Sequence, residues 1–356
     1  MALTLNQHRF GVTQELIGTF KDSRAPKTGL SSFFTKVTTP AKQVSIAVQR
    51  NRQLVATDVL RCTDPNRNIF SLFSEKIFLP PFFSESFDFT ACQAYDVTFG
   101  MGIAPNAVQK NMLMDSANEY LTDLKYKIDR AINKMYASVL QTGTVTIVNG
   151  DSIDFKRKAA SMPVNTGTAA WSATSTADPL ADFTTDAQFL RDEGLSAGST
   201  INVIMGTRAF TYFMNNAKIL AVAAIFNQIK RINIGMPQFD GASGLNFQGQ
   251  IGGADYMFNI WTYNDVYENA DGSKTKYIND ANYIMIPDDF EGKIVYAGVP
   301  FVFGDYFSGM YVANTTGEYI VHDVIDQVKR SWQFIVESAP LPIPFSIDRV
   351  VTRQTY

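Results

Sequence analysis

Residues 70–89 read FSLFSEKIFLPPFFSESFDF, seven phenylalanines and two adjacent prolines within twenty residues. Pro80 and Pro81 lack amide donors and fix the backbone, so no buried helix runs through the segment. Glu75, Lys76, Glu85 and Asp88 interrupt the apolar run, and nowhere does the chain offer the ~18 consecutive apolar residues of a membrane span. Alternation around Phe87 and Phe89 suits a pair of core strands. Burial against another chain is the other way to take this much aromatic surface out of water, and the rest of the sequence has to decide between the two.

The chain has 356 residues, 46% hydrophobic and 18% charged, which excludes a disordered chain and allows two domains or one with large insertions. A net charge of -3 gives no bulk attraction to nucleic acid, so any contact with a polyanion must be local. Cys62 and Cys92 cannot build a disulfide framework, and MALTLNQHRF lacks the apolar core of a signal peptide. Synthesis in a reducing cytosol is the expectation.

Residues 1–43 read as an extended arm, with a short helix near Thr13 to Phe20 and a turn-rich RAPKTGLSS. KQVSIAVQRNRQLVATDV gives two strand-like runs joined at Arg50 to Arg52, and RCTDPN is a turn cluster. From Pro105 to about Leu140, Leu121, Leu124, Ile128, Ile132, Met135 and Val139 recur at spacings of three and four, one face of a helix roughly 50 Å long that Gly143 closes. TGTVTIVNGDSIDF alternates on both sides of Asn149-Gly150, a tight hairpin.

Residues 161–185 read as a loop, followed by a helix from about Thr185 to Glu193 closed by Gly194. STINVIM is a buried strand, and TRAFTYFMNNAKILAVAAIFNQIK gives one or two helices broken near Asn215 and Asn216. Gly235 to Gly253 reads as a glycine-rich loop. Beyond it come the short strands DYMFNIWTY, KTKYI, NYIMIP, GKIVYAG, EYIVHDV and SWQFIVES, with a hairpin turn at Asp271-Gly272. The class is α+β.

Catalytic chemistry is scarce. His8 and His322 cannot assemble a triad or a His-rich zinc site, and each reads as a packing or surface residue. No phosphate-binding loop exists, GQIGGA lacks a strand-to-helix context, and NDVYENADGSK fails the calcium-loop spacing. Asp288 and Asp289 read as solvated turn residues. The patch KRK at 156–158 has a weak claim on a polyanion. A long helix and an aromatic projection without catalytic groups point to assembly.

Four stretches, in order, resemble the major capsid proteins of tailed bacteriophages typified by the lambda head protein, capsid protein E. They are VSIAVQRNRQLVATDVLRCTDPNRNIFSLFSEKIFLPPFFSESFDFTA; RAINKMYASVLQTGTVTIVNGDSIDF; DPLADFTTDAQFLRDEGLSAGSTINVIMGTRAFTYFMNN; and ESAPLPIPFSIDRVVTRQ. The loop tip departs from the family, with RCTDPNR in place of a glycine-rich turn, and residues 1–43 match nothing in it.

The resemblance implies the Hong Kong 97 type of capsid fold: an N-terminal arm over 1–43 and an extended loop over 44–92. A peripheral domain over 93–183 would carry spine helix 105–141 and hairpin 144–155, with an axial domain over 184–331. A last strand within 332–356 would return to the peripheral domain. It implies hexamers and pentamers of an icosahedral head enclosing double-stranded DNA, with no cofactor, metal, active site or membrane. Further expected partners are portal, scaffold and decoration proteins and the packaged DNA, and the expected place is the virion, assembled in the bacterial cytoplasm.

Phe70, Phe73, Phe78, Phe82, Phe83, Arg61 and Lys76 would make inter-subunit contacts, and Leu121, Leu124, Ile128, Ile132 and Val139 the core face of the spine. Some relatives of the fold join a loop lysine to a neighbour's asparagine. Lys76 reads more simply as a charged gatekeeper inside an aromatic run. The rival readings are an encapsulin-like cargo shell of the same fold and, more distantly, a hydrolase or transferase.

Overall fold

The longest helix among the described residues is α1 (Ala107–Thr142). The computed structural model describes residues 25–48, 74–90, 107–146, 152–225, 232–233, 238–239, 241–253, 255–305, 309–326, 328–329 and 331–356. Along α1, Ile128, Ile132, Met135 and Val139 are buried, and Leu121 and Leu124 pack half-buried on the same core. The helix stops at Gly143, whose φ of 71° is the left-handed cap conformation that glycine adopts without steric cost.

Before α1 come β1 (Phe34–Thr38), β2 (Val44–Val48), β3 (Ser74–Phe78) and β4 (Phe83–Thr90). Val44 pairs with Phe78 and Val48 with Ser74 in antiparallel register, which forms the out-and-back base of the expected loop. The expected arm helix, the loop tip with Arg61, Phe70 and Phe73, both cysteines, His8 and Pro105 lie outside the described residues. After α1, β5 (Thr144–Thr146) and β6 (Ser152–Asp154) pair as a hairpin whose Asn149-Gly150 turn is also outside them.

Helix α2 (Pro179–Asp192) starts earlier than the expected Thr185. Asp178 caps it by accepting from the Ala181 amide at 3.2 Å, and Pro179 occupies the first turn, where a missing amide costs nothing. Next come β7 (Thr200–Met205), α3 (Thr207–Met214) and α4 (Ala217–Ile225), with the break at Asn215 and Asn216 as expected. Then follow β8 (Ile232–Asn233), β9 (Gln238–Phe239), β10 (Leu245–Gly252) and β11 (Met257–Tyr263).

Strand β10 corrects the reading of Gly235 to Gly253 as a loop. It pairs antiparallel with β11 along its length, and the register shift between Phe247 and Gly249 marks a bulge. Its polar side chains are satisfied across the ladder, Gln250 Nε2 donating to Asn259 Oδ1 at 2.9 Å. Glycine here shapes a strand and does not end one.

The remaining strands are β12 (Val266–Glu268), β13 (Lys274–Lys276), β14 (Asn282–Pro287), β15 (Gly292–Tyr296), β16 (Val299–Asp305) and β17 (Gly309–Thr315). After them come β18 (Ile320–Asp326), β19 (Ser331–Ser338), β20 (Pro340–Pro344) and β21 (Val351–Gln354). The hairpin β16–β17 is absent from the sequence reading, whereas β12–β13 turns at Gly272 as expected.

The main sheet has seven strands, ordered β21-β14-β7-β11-β10-β8 with β9 also on β10. Two three-stranded sheets, β1-β15-β20 and β18-β19-β4, complete the larger layers. One core fills the space between a face of the main sheet and α2 and α3, where Trp171 stacks on Tyr283 at 5.2 Å. A second lies beneath α1 and includes Leu30, Ile284, Ile294 and Leu341, and a small third cluster joins Ala297, Val299 and Ala339.

The end of the chain differs from the single strand expected to return to the spine side. It makes two strands beyond β19: β20 joins β15, and β21 joins the edge of the main sheet with Val351 opposite Met285. The spine is still reached, because Thr352 Oγ1 donates to the Leu140 carbonyl at 2.9 Å. One strand thus serves both layers.

Candidate functional site

The aromatic segment divides by pleat into an anchored side and a presented side. Phe78 is half-buried on the core beneath α1, with its ring 5.4 Å from that of Phe155. Phe83 packs half-buried on the same core, and Phe87 stacks on Phe334 at 5.1 Å and lies 5.3 Å from Tyr120 of α1. Ile77, Leu79 and Phe82 face the other way, 63%, 53% and 51% exposed, while Pro80 and Pro81 between them are buried. Two prolines fix the link as an extended corner, and the apolar residues flanking it have nowhere to fold back.

Of the residues expected at subunit contacts, the structure therefore brings together Phe78, Phe82 and Phe83 and gives them different surroundings. Phe82 is exposed, and Phe78 and Phe83 are partly core. Lys76 stands in β3 opposite Ile46. Ile77 and Leu79 carry most of the exposed apolar surface and escaped the sequence reading, which weighted the phenylalanines. Pleat alternation on either side of the Pro-Pro corner is the signal that could have found them.

A salt bridge holds this segment to the spine, and further polar ties join the spine to the residues before β1 and before β18. Lys127 Nζ meets Glu85 Oε2 at 2.6 Å, and Asn133 Nδ2 donates to the Lys27 carbonyl at 2.7 Å. The Tyr319 hydroxyl donates to Asp129, whose carboxyl burial pushes above the usual range even though that hydrogen bond and Lys125 act the other way. Lys36 pairs with Glu318 at 2.7 Å beside them.

At the far end of α1, the KRK patch turns out to be structural. Arg157 is 8% exposed and donates to the carbonyls of Leu140, Gln141, Ser161 and Val350, so its charge never reaches a polyanion. Burial pulls its pKa down to about 9, with Asp348 nearby acting against that fall. Lys156 pairs with Asp154 and Lys158 with Glu193. The sequence could not show that the middle residue of a basic triplet points inward.

Other groups with chemical potential are tied up in the same way. Asp289 accepts from Ser196 Oγ at 2.7 Å and from the Ala197 amide at 3.0 Å, and Asp288 accepts from Asn202 Nδ2 at 3.0 Å. Asp288 is exposed in the turn after Pro287, as expected, whereas Asp289 is half-buried and braces the loop at Ser196. Arg353 Nη2 lies 2.5 Å from Asp186 Oδ1, and the Tyr283 hydroxyl donates to Asp186 Oδ2 at 2.7 Å. His322 sits in β18 with Nδ1 3.9 Å from Glu337 Oε2. Among the described residues, no three His, Cys, Asp or Glu side chains are grouped to hold a metal ion, and no helix is long and apolar enough to cross a membrane.

A long helix, the antiparallel strand pair β2–β3 and an exposed apolar corner define a protein built around its surfaces. The fold is that of a capsid assigned to a prophage of Escherichia coli: TM-score 0.60 at 15% identity, with 100% of each chain covered. It is thus a mixed helix and strand fold of the Hong Kong 97 capsid type. Two further likenesses are a phage-related protein from Bordetella bronchiseptica (TM-score 0.47, 12% identity, 94% and 93% covered) and an encapsulin complex from Synechococcus elongatus (0.45, 8%, 100% and 96%). No curated protein matches by sequence.

The model of one family, phage major capsid protein E, matches residues 71–354, and the chain belongs to that family. The family's role is structural: copies of one chain form the shell of the virion.

Proposed function

We propose that many copies of this chain assemble as hexamers and pentamers into an icosahedral head that encloses double-stranded DNA. The row Ile77, Leu79 and Phe82, exposed beside two buried prolines, carries this reading. Laid across a neighbouring subunit, each side chain would contribute about 1.5–3 kcal/mol when fully buried, and closed rings repeat the contact many times. Residues 1–43 act as the arm and 44–92 as the loop. The spine and its hairpin make the peripheral part, and 184–331 the axial part around each ring.

The chain does no chemistry and takes no cofactor. Portal, scaffold and decoration proteins are its further partners, and its contact with packaged DNA is non-specific. Assembly takes place in the bacterial cytoplasm. Negative-stain imaging of the expressed protein, with assay of nucleic acid in particles from an infected lysate, tests the reading. DNA-filled shells are expected. A monodisperse monomer at high concentration overturns assembly, and shells holding protein cargo without DNA would make this an encapsulin-like container.

A further inference from the structure

A groove of about 820 Å³ lies between α1 and the hairpin β12–β13. Ala131 and Lys134 of α1 form one wall, and Val266, Tyr267 and Lys274 of the hairpin the other. Val266 is 39% exposed, and Tyr267 is half-buried with Lys134 Nζ 4.9 Å from the centre of its ring. A two-stranded hairpin is marginal by itself and gains stability from what packs against it. Among the described residues, β12 and β13 pair with each other and with no third strand.

Ala25 and Pro26 also line this groove, and the chain is pinned immediately after them. Buried Asn133 donates from Nδ2 to the Lys27 carbonyl at 2.7 Å, the Gly29 amide donates to the Ser243 carbonyl at 2.8 Å, and Leu30 is fully buried. Pro26 confines Ala25 to extended backbone. Residues 1–24 therefore set out from the groove itself, and Phe20 lies at most about 18 Å from Ala25.

The segment that sets out there is amphipathic. In GVTQELIGTFKDSR, residues 11–24, the side chains of Val12, Leu16, Ile17 and Phe20 recur at spacings of three and four. Glu15 and Asp22 balance Lys21 and Arg24, and the groove likewise carries both signs, with Lys134 and Lys274 facing Glu268.

We propose that residues 12–24 dock in the groove of their own subunit, with Leu16, Ile17 and Phe20 against Val266 and Tyr267, so that this part of the arm does not reach a neighbour. The short tether favours that occupant over the same segment of another copy, because it holds the docking side chains at a roughly millimolar effective concentration. The contact lies within one chain and holds independently of the shell reading.

The test is a cross-link. In a background with Cys62 and Cys92 changed to serine, Thr19→Cys is combined with Ala270→Cys on the groove, and in a control with Ser86→Cys in β4. A short bis-maleimide should join 19 to 270 and not 19 to 86. When chains of light and heavy nitrogen are mixed as subunits, each joined peptide pair should carry a single isotope. Mixed pairs would show a neighbour's arm in the groove and overturn the proposal, as does joining to 270 no better than to 86. If the cysteine-free background does not fold, an amine cross-linker on the unaltered chain should join Lys21 to Lys134 or Lys274 within one isotope, and the absence of both links overturns it. Leu16→Asp combined with Phe20→Asp should let an amine reagent modify Lys274 several-fold faster than in the parent, and an unchanged rate overturns the role given to those two side chains.

Discussion

Arg157 Nη1 donates to the carbonyl of Leu140 at 2.8 Å while Nη2 of the same side chain donates to Val350 at 2.7 Å, so one guanidinium closes the end of the spine helix and holds the chain's last segment to it. A buried cation at a helix C-terminus also meets the negative end of the helix dipole.

Replacing Arg157 with methionine keeps the volume and removes every donor. The stranded carbonyls should cost about 3 kcal/mol or more, read as a lower urea midpoint of the monomer. Gly143→Ala should cost about 1–2 kcal/mol, because φ of 71° is strained for alanine and its Cβ would lie 2.9 Å from that of Arg157.

Phe82 and Phe83 are neighbours with different duties. Phe82→Ser should leave the melting temperature of the monomer nearly unchanged and prevent or weaken particle formation. Phe83→Ser removes a ring from the core and should cost about 2–3 kcal/mol of monomer stability. Equal losses of monomer stability in both would show that Phe82 is ordinary core.

Asp129 offers a pH test. Burial holds its pKa above the ordinary aspartate value of 3.8, so the folded state binds its proton more tightly than the unfolded chain does. Ionisation therefore costs stability as pH rises through the raised pKa, and the cost is fully present above it. Asp129→Asn keeps an oxygen to accept from Tyr319 and removes the charge. It should melt higher than the parent at pH 7, and the difference should vanish below about pH 3.8. A constant difference across pH would refute the assignment.

Asp178→Ala removes the cap of α2 and the 2.7 Å pair with Lys218, and should cost about 1 kcal/mol, mostly from the cap. Lys218→Ala should cost less. Thermal melts of the two side by side separate the contributions.

Local patterns were legible in the sequence. The apolar stripe from Leu121 to Val139 defines a helix because it depends only on spacing along one chain, and Asn149-Gly150 and Asp271-Gly272 signal hairpins for the same reason. The start of α2 was equally local, in Asp178-Pro179, but lay inside a Ser- and Thr-rich run that resembles a loop. Strand β10 was hidden because its glutamines and glycines look like solvent-exposed linker until β11 supplies their partners. The corner at Pro80-Pro81 could be read as extended, but which flanking side chains face the core depends on where β4 meets β19.

The sequence by itself determined the spine helix, the hairpins, the α+β class and the capsid resemblance, because periodicity, turn chemistry and motif order are properties of neighbouring residues. Only the tertiary structure decided that Arg157 points inward, that β21 completes the main sheet while touching the spine, and that Ile77, Leu79 and Phe82 stay outside while Phe78 and Phe83 go in. Those outcomes depend on burial and on pairing between residues far apart in the chain, and no local pattern encodes which face of a segment finds the core.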